Sequence, residues 1–372
     1  MTDMERILLS APHMSGRERE LVGEVFDSNF IAPAGPMIDR FENAFCAITG
    51  HKAAVALSSG TGAMDIAHDD DVWVADLTFI GGVSPVKFRG ANPVFLDVSP
   101  DTWTLDPALL ASELEKADEV GKLPKAVIPV DLYGQSCDLD QIVRVCDRYE
   151  IPVVVDSAEA MGTRYKDRHA GKGAKFAVYS FNGNKIITTA GGGMLASDDE
   201  ELIARAKYLS QQARQPVPHY EHTETGYNYR MPSLCAAVGV GQLEVLEERV
   251  RRRREIFANY ATAFSSISSI SMMPEASYGV SNRWLSVITL DPEKTQVTPA
   301  KVCSFADAQN VECRPVWKPM SRQPVFENER FTSTGVSTSL FSSGVCLPSG
   351  SAMSDQQIGR VVLAIAGSLK RF

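Results

Sequence analysis

From Ala53 onward the chain repeats one pattern: a short, continuously apolar run, Gly or Pro punctuation, then a longer stretch with helical spacing. The runs are AVALSS, VWVAD, NPVFLDV, KAVIPVDL, IPVVVDSA and KFAVYSF. They are rich in Val and Ile and do not alternate polar with apolar residues, as expected of strands covered on both faces. Strands that alternate with helices imply an α/β fold with a mostly parallel sheet.

The flanking segments complete the expected architecture. Residues 16–29 read as an amphipathic helix with Leu21, Val22, Val25 and Phe26 on one face, followed by the turn IAPAGP and a second helix from about Met37 to Ile48. In GQLEVLEERVRRRREIFANYATAF, the residues Leu243, Leu246, Val250, Phe257, Tyr260 and Phe264 recur at helical spacing, which predicts one long helix. Its Arg251–Arg254 run reads as a solvated helix face rather than a phosphate or nucleic-acid patch, because the whole chain carries a net charge of -9. Beyond residue 265 the strand-like NRWLSVITL and VECRPVW, and a final helix near 354–370, suggest a smaller α+β unit. The expected division is a large domain over 1–250, with its N-terminal segment, and a small one over 251–372.

Composition narrows the functional classes. A chain of 372 residues, 44% of them hydrophobic, can bury a large core without staples. Its seven Cys are widely spaced with no CxxC pair, which favours reduced thiols in a cytoplasmic protein over a disulfide framework or a zinc site. His219 and His222 could share a helix face, but no third ligand is apparent, so no metal is expected. No apolar run approaches the ~20 residues of a membrane helix, and MTDMERILLSAPHM lacks the apolar core of a signal peptide. Neither a membrane nor a nucleic acid is an expected partner.

The chemistry concentrates in VVVDSAEAMGTRY…KFAVYSFNGNKIITTAGGGMLASDD. Asp156 ends a buried strand, where residues of open α/β sheets face the ligand crevice. Alone it could simply cap a following helix. A carboxylate there is costly unless a cation meets it, and a protonated pyridine nitrogen is such a cation. Lys185 follows the next strand and precedes Gly191, Gly192 and Gly193, which would let backbone crowd a bulky group. An isolated Lys is usually a surface charge, but strand-Asp, strand-Ser-x-x-x-x-Lys and Gly-Gly-Gly together are much rarer. Upstream, SSGTGAM turns from a strand toward a helix, so Ser59, Thr61 and Gly62 could cradle a phosphate. Phe79, just past another strand end, could stack on a planar ring or sit in the core.

These residues resemble the DegT/DnrJ/EryC1/StrS family of sugar aminotransferases, from LLSAPHMSG through CLPSGSAMS. The segments NFIAPAGP, SFNGNKIITTAGGGML, QARQPVPHYEHTETGYNYRM, SNRWLS and RPVWKPM are close to the UDP-N-acetylbacillosamine-type transaminases. The resemblance implies the aspartate aminotransferase-like fold (type I) and pyridoxal 5'-phosphate as cofactor. Lys185 matches the Schiff-base lysine and proton shuttle, and Asp156 the partner of the pyridine nitrogen. Glu159, where many members carry Gln, would lie near the phenolic oxygen, and Phe79 would stack on the ring. Thr61, Gly62 and Ser180 would bind the phosphate. Asn228 matches an asparagine that reaches the neighbouring subunit's phosphate, which implies a homodimer with shared active sites. One departure is the very short link at His68–Asp69, which should truncate the helix after SSGTGAM by several residues.

The implied reaction moves an amino group from L-glutamate to a nucleotide-linked 4-keto-6-deoxy sugar, UDP-4-keto-6-deoxy-GlcNAc in that subgroup. Arg230, Arg283 and Arg314 are candidates for the diphosphate. Phe30 and His13 are candidates for the sugar pocket, and Trp284 and Trp317 either stack on a sugar or fill the smaller unit. Two rivals stand beside this reading: a perosamine-type enzyme for a GDP- or dTDP-linked sugar, and a non-catalytic regulator that merely binds the cofactor.

Overall fold

A computed structural model describes residues 5–58 and 68–371. The expected runs all form strands, in the order Ala53–Leu57, Gly193–Ser197, Phe176–Ser180, Val154–Asp156 and then Ala126–Ile128, Asp71–Ala75, Asn92–Leu96, Phe331–Thr332. Parallel bridges from Val127 to Val153 and from Val130 to Asp156 join the two halves into one surface. Gly193–Ser197 runs antiparallel to both of its neighbours, and the other pairings are parallel. That strand and Phe331–Thr332 had no sequence signal strong enough to announce them: one follows directly on the glycines, the other has two residues.

The first two helices are Glu18–Ser28 and Pro36–Thr49. Leu21 and Val25 are buried, but Phe26 is 61% exposed, so the apolar stripe is narrower than expected. Both helices pack on Ser233–Leu243, a helix buried along most of its length. Gly239 makes that approach possible: a Cβ there would lie 2.5 Å from the Phe41 ring.

The single long helix expected over 241–264 is in fact two. Ser233–Leu243 ends, and Leu246–Phe264 begins after a turn at Glu244–Val245. The second helix is shared between two cores. Leu246 and Val250 belong with the large sheet, while Ile256, Tyr260 and Phe264 join the core under the second sheet. The expected boundary at residue 250 lies within this helix. The second sheet is antiparallel, in the order Ile270–Met272, Ser286–Leu290, Gly344–Leu347, Arg314–Pro315. Helix Pro299–Asp307 packs against Arg314–Pro315 and Gly344–Leu347, and Asp355–Arg371 packs against that helix and against Leu246–Phe264.

The arginine run is not one solvated face. Four consecutive helical residues at ~100° spacing sweep around the axis, so one must point inward. Arg253 does: it is 1% exposed, and its guanidinium donates to the Trp284 carbonyl and, at 3.0 Å, to Ser10 Oγ. Burial pushes its pKa down to about 9. Arg251, Arg252 and Arg254 are paired with Glu255, with Glu255 and Asp355, and with Glu275 respectively.

Candidate active site

The large sheet opens a cavity of about 840 Å³ at the carboxyl ends of its parallel strands. Asp156 ends the Val154–Asp156 strand and lines this cavity. One carboxylate oxygen accepts the Ala158 N–H at 3.0 Å, within turns rather than at the start of a helix, which removes the helix-cap alternative. Its other oxygen, Oδ2, faces Gly82; a Cβ on that glycine would come within 2.7 Å of it. Burial pushes the Asp156 carboxyl up, while the Ala158 N–H and the charge of Lys185 pull it down.

Lys185 and Glu159 form a pair beside it. Lys185 Nζ lies 3.4 Å from Glu159 Oε1, with the two side chains 11% and 4% exposed. The ammonium also sits 4.2 Å from the centroid of the Trp284 ring. Glu159 Oε2 accepts the Tyr133 N–H at 2.6 Å. That donor is aimed by a left-handed turn, since Tyr133 has φ 53°. Burial pushes the Glu159 carboxyl up to about 7, against the lowering pull of Lys185.

The backbone leading into Lys185 is held from the opposite side. The Asn184 carbonyl accepts from Trp284 Nε1 at 2.8 Å and from Ser10 Oγ at 2.6 Å. Ser10 and Trp284 are the groups gripped by the buried Arg253. The lysine's position therefore depends on the N-terminal segment and the second sheet as well as on its own strand.

Glu159 carries a testable pH signature. Its folded pKa lies above its ordinary value, so the stability it contributes is present below about pH 4.5 and is lost as pH rises through about 7. Glutamine does not titrate. Between pH 4.5 and 8, the cofactor-free protein should lose stability relative to Glu159→Gln, as read by denaturant unfolding at several pH values. A stability difference independent of pH would remove the argument that this carboxyl is held up by burial.

Other expected residues fall inside and outside this centre. Phe79, Ser180, Gly191, Gly192, Arg314 and Trp317 line the cavity with Lys185 and Asp156, and so does Ser58, which was not among the expected residues. Phe79 is 58% exposed, and its ring centroid lies 5.7 Å from that of Trp317. Ser180 Oγ accepts the Asn182 N–H at 3.4 Å. Arg314 reaches the rim, paired with Glu312 at 2.7 Å. Gly192 takes φ 122°, and a Cβ there would lie 2.5 Å from Met231 Cε, so local packing also demands this glycine.

Phe30 is exposed and Asn228 sits on the surface, its backbone bridged to Gln211; neither lines the cavity. Arg230 is buried against Glu42. Arg283 is also buried, 3.7 Å from the Phe257 ring centroid and 3.5 Å from Glu275, and it faces a different cavity. His13 Nδ1 is 3.1 Å from Ser351 Oγ. Ser59, Thr61, Gly62 and the helix expected to be truncated before His68 lie outside the described residues. His219 pairs with Glu221, and among the described residues there is no cluster of three metal-ligating side chains. No described helix is long and apolar enough to cross a membrane.

Two contributors escaped the sequence reading. Tyr133 acts through its backbone N–H, and Gly82 through the space it leaves for Asp156. Only the turn-forming YG pair at 133–134 hinted at the first. Together the centre offers a primary amine, a buried carboxylate with one oxygen free of hydrogen bonds among the described residues, a second carboxyl, and aromatic walls in a slot large enough for a substituted ring. This donor set fits pyridoxal phosphate: Lys185 for its aldehyde carbon, Asp156 for its ring nitrogen, and Phe79 for a ring face.

Comparison with known proteins agrees with this fit. The sequence profile of the DegT/DnrJ/EryC1/StrS aminotransferase family matches residues 12–366. A Bacillus subtilis protein named as a pyridoxal phosphate-dependent aminotransferase, EpsN, is 47% identical over 96% of this chain and 94% of its own length. GDP-perosamine synthase of Caulobacter vibrioides is 34% identical over 98% of this chain and 99% of its own. Among solved structures, the aminotransferase TlmJ of Streptoalloteichus hindustanus superposes with a TM-score of 0.90 at 27% identity, over 98% of this chain and 99% of that one.

Proposed function

This chain belongs to the DegT/DnrJ/EryC1/StrS aminotransferase family, with pyridoxal phosphate as cofactor, and from that we propose that it moves an amino group from L-glutamate to UDP-4-keto-6-deoxy-GlcNAc. The observation that carries the aminotransferase reading is the Lys185–Glu159 pair beside the free oxygen of Asp156 in one cavity. The family assignment supports a nucleotide sugar as acceptor. The choice of a UDP sugar rests on segments such as SFNGNKIITTAGGGML and GYNYRM.

When bound, pyridoxal phosphate supplies an electron sink for charge developing at the substrate carbon. Asp156 holds a positive charge at the ring nitrogen, and its burial strengthens that attraction. Lys185 serves first as the anchoring amine. As a free amine, its Nζ would take the proton from the substrate carbon and give it back at the far side of the intervening nitrogen. Glu159 would keep that amine, and the ammonium it becomes on taking the proton, beside the reacting centre. Trp284, Trp317 and Phe79 limit water around that amine. Arg314, on the rim, meets the diphosphate. The homodimer reading rests on the resemblance of Asn228 to an asparagine that reaches a neighbouring subunit's phosphate, and the exposure of Asn228 is compatible with that contact.

A second reading has its own support: the 34% identical relative is a GDP-perosamine synthase. Coupled assays with UDP-, GDP- and dTDP-linked 4-keto-6-deoxy sugars, each with L-glutamate, separate the two. The UDP sugar should give the highest kcat/KM, by about tenfold or more. A preference for the GDP sugar would replace the first reading with the second, and turnover of none would favour a non-catalytic role.

A further inference from the structure

Arg230 does not face the cavity. Its side chain is 5% exposed, and Nη1 donates to Glu42 Oε1 at 2.6 Å and to the Ala56 carbonyl at 3.2 Å. The same Glu42 oxygen accepts the Ala56 N–H at 2.8 Å. Ala56 belongs to the strand Ala53–Leu57, which pairs with Gly193–Ser197 on one side and forms an end of the sheet on the other. An edge strand leaves unpaired backbone groups, and these must find partners when buried. Here the ion pair meets both backbone groups of Ala56. The segment carrying Arg230 continues the pairing: Ser58 N–H donates to the Tyr229 carbonyl at 2.7 Å, and Met231 N–H to the Ala56 carbonyl at 3.2 Å.

The position of this clamp matters. Ser58 is the next residue but one after Ala56 and lines the cavity that holds Lys185. The chain there enters the small-residue segment SGTGAM. Asn228 and Tyr229 immediately precede the arginine, so one ion pair fixes the strand end and the segment alongside it. A buried ion pair is weak evidence for stability by itself, because desolvation offsets its attraction. Its bonds to a single strand residue beside a cavity point to a geometric role instead. We propose that Arg230 and Glu42 are positioning residues that set the strand end from which the cofactor's phosphate is bound, and that Arg230 does not contact the sugar nucleotide. This rests on the aminotransferase reading above.

The test uses the full chain stripped of cofactor and titrated with pyridoxal phosphate, followed by nucleotide-sugar kinetics at saturating cofactor. Two variants are compared: Arg230→Lys, which keeps a cation opposite Glu42, and the paired Glu42→Leu with Arg230→Met, which replaces the ion pair by apolar volume. Unfolding curves identify which of them are folded. We expect the cofactor Kd to rise about tenfold in the paired variant and about threefold in Arg230→Lys, with the KM for the nucleotide sugar within about twofold of wild type. An unchanged cofactor Kd in a folded variant overturns the proposal. So does a rise in sugar KM as large as the rise in Kd, since the guanidinium would then be meeting substrate. Wild-type protein that binds no pyridoxal phosphate would overturn the aminotransferase reading, and this one with it.

Discussion

Replacing Lys185 with alanine should remove the visible absorbance of the lysine-linked cofactor and lower turnover by roughly four orders of magnitude. The size of the effect follows from the two tasks assigned to one amine, anchoring and proton transfer, with no other lysine lining the cavity among the described residues. Fold should survive, because Nζ makes only a long contact to Glu159 and lies over Trp284. Loss of the ammonium removes the main electrostatic pull lowering Glu159, so that carboxyl should hold its proton to still higher pH. A small primary amine added to the variant should restore part of the turnover if proton transfer is the missing function. Full activity in Lys185→Ala, with unaltered absorbance, would end the mechanism.

Asp156→Asn should have the next largest effect. Asparagine preserves shape and can still accept the Ala158 N–H, so the turn and the fold should remain. What disappears is a buried negative charge opposite a positive ring nitrogen. Uncompensating a buried charge costs about 3–4 kcal/mol, which corresponds to a fall in kcat of about 10²–10³-fold. The measurement is kcat together with the absorption maximum of the bound cofactor, which should shift as the ring nitrogen loses its proton. A variant with wild-type kcat would show that the carboxylate only supports its turn.

Much of the fold was legible because its strands are buried on both faces. Continuous apolar runs such as VWVA and PVFL, buried at every position, leave little choice of structure. Legibility failed where a tertiary contact set the outcome. The break at Glu244–Val245 lies within an unbroken helical pattern, and it brings Leu246 and Val250 against Gly162, where a Cβ would clash at 2.7 Å. Phe26 satisfies the periodicity of its helix yet faces outward. Arg253 belongs to a run of like charges, but the helix turns it into the core.

The sequence by itself determined which chemical groups this protein has to work with, and in what order along the strands. Asp156 at a strand end and Lys185 between a strand and three glycines are local facts, fixed by spacing and strand polarity. Tertiary structure decided which of the polar candidates meet them. Glu159 faces Lys185 because the Tyr133 N–H holds its second oxygen, and Arg314 reaches the cavity rim. Arg230 and Arg283 are drawn instead to Glu42 and Glu275. A guanidinium near the interior goes to the carboxylate that satisfies it, and the chain brings that partner from far away: Glu42 lies 188 residues from Arg230. Local spacing carries no record of so distant a pairing, so Arg230 could be named from the sequence but not assigned.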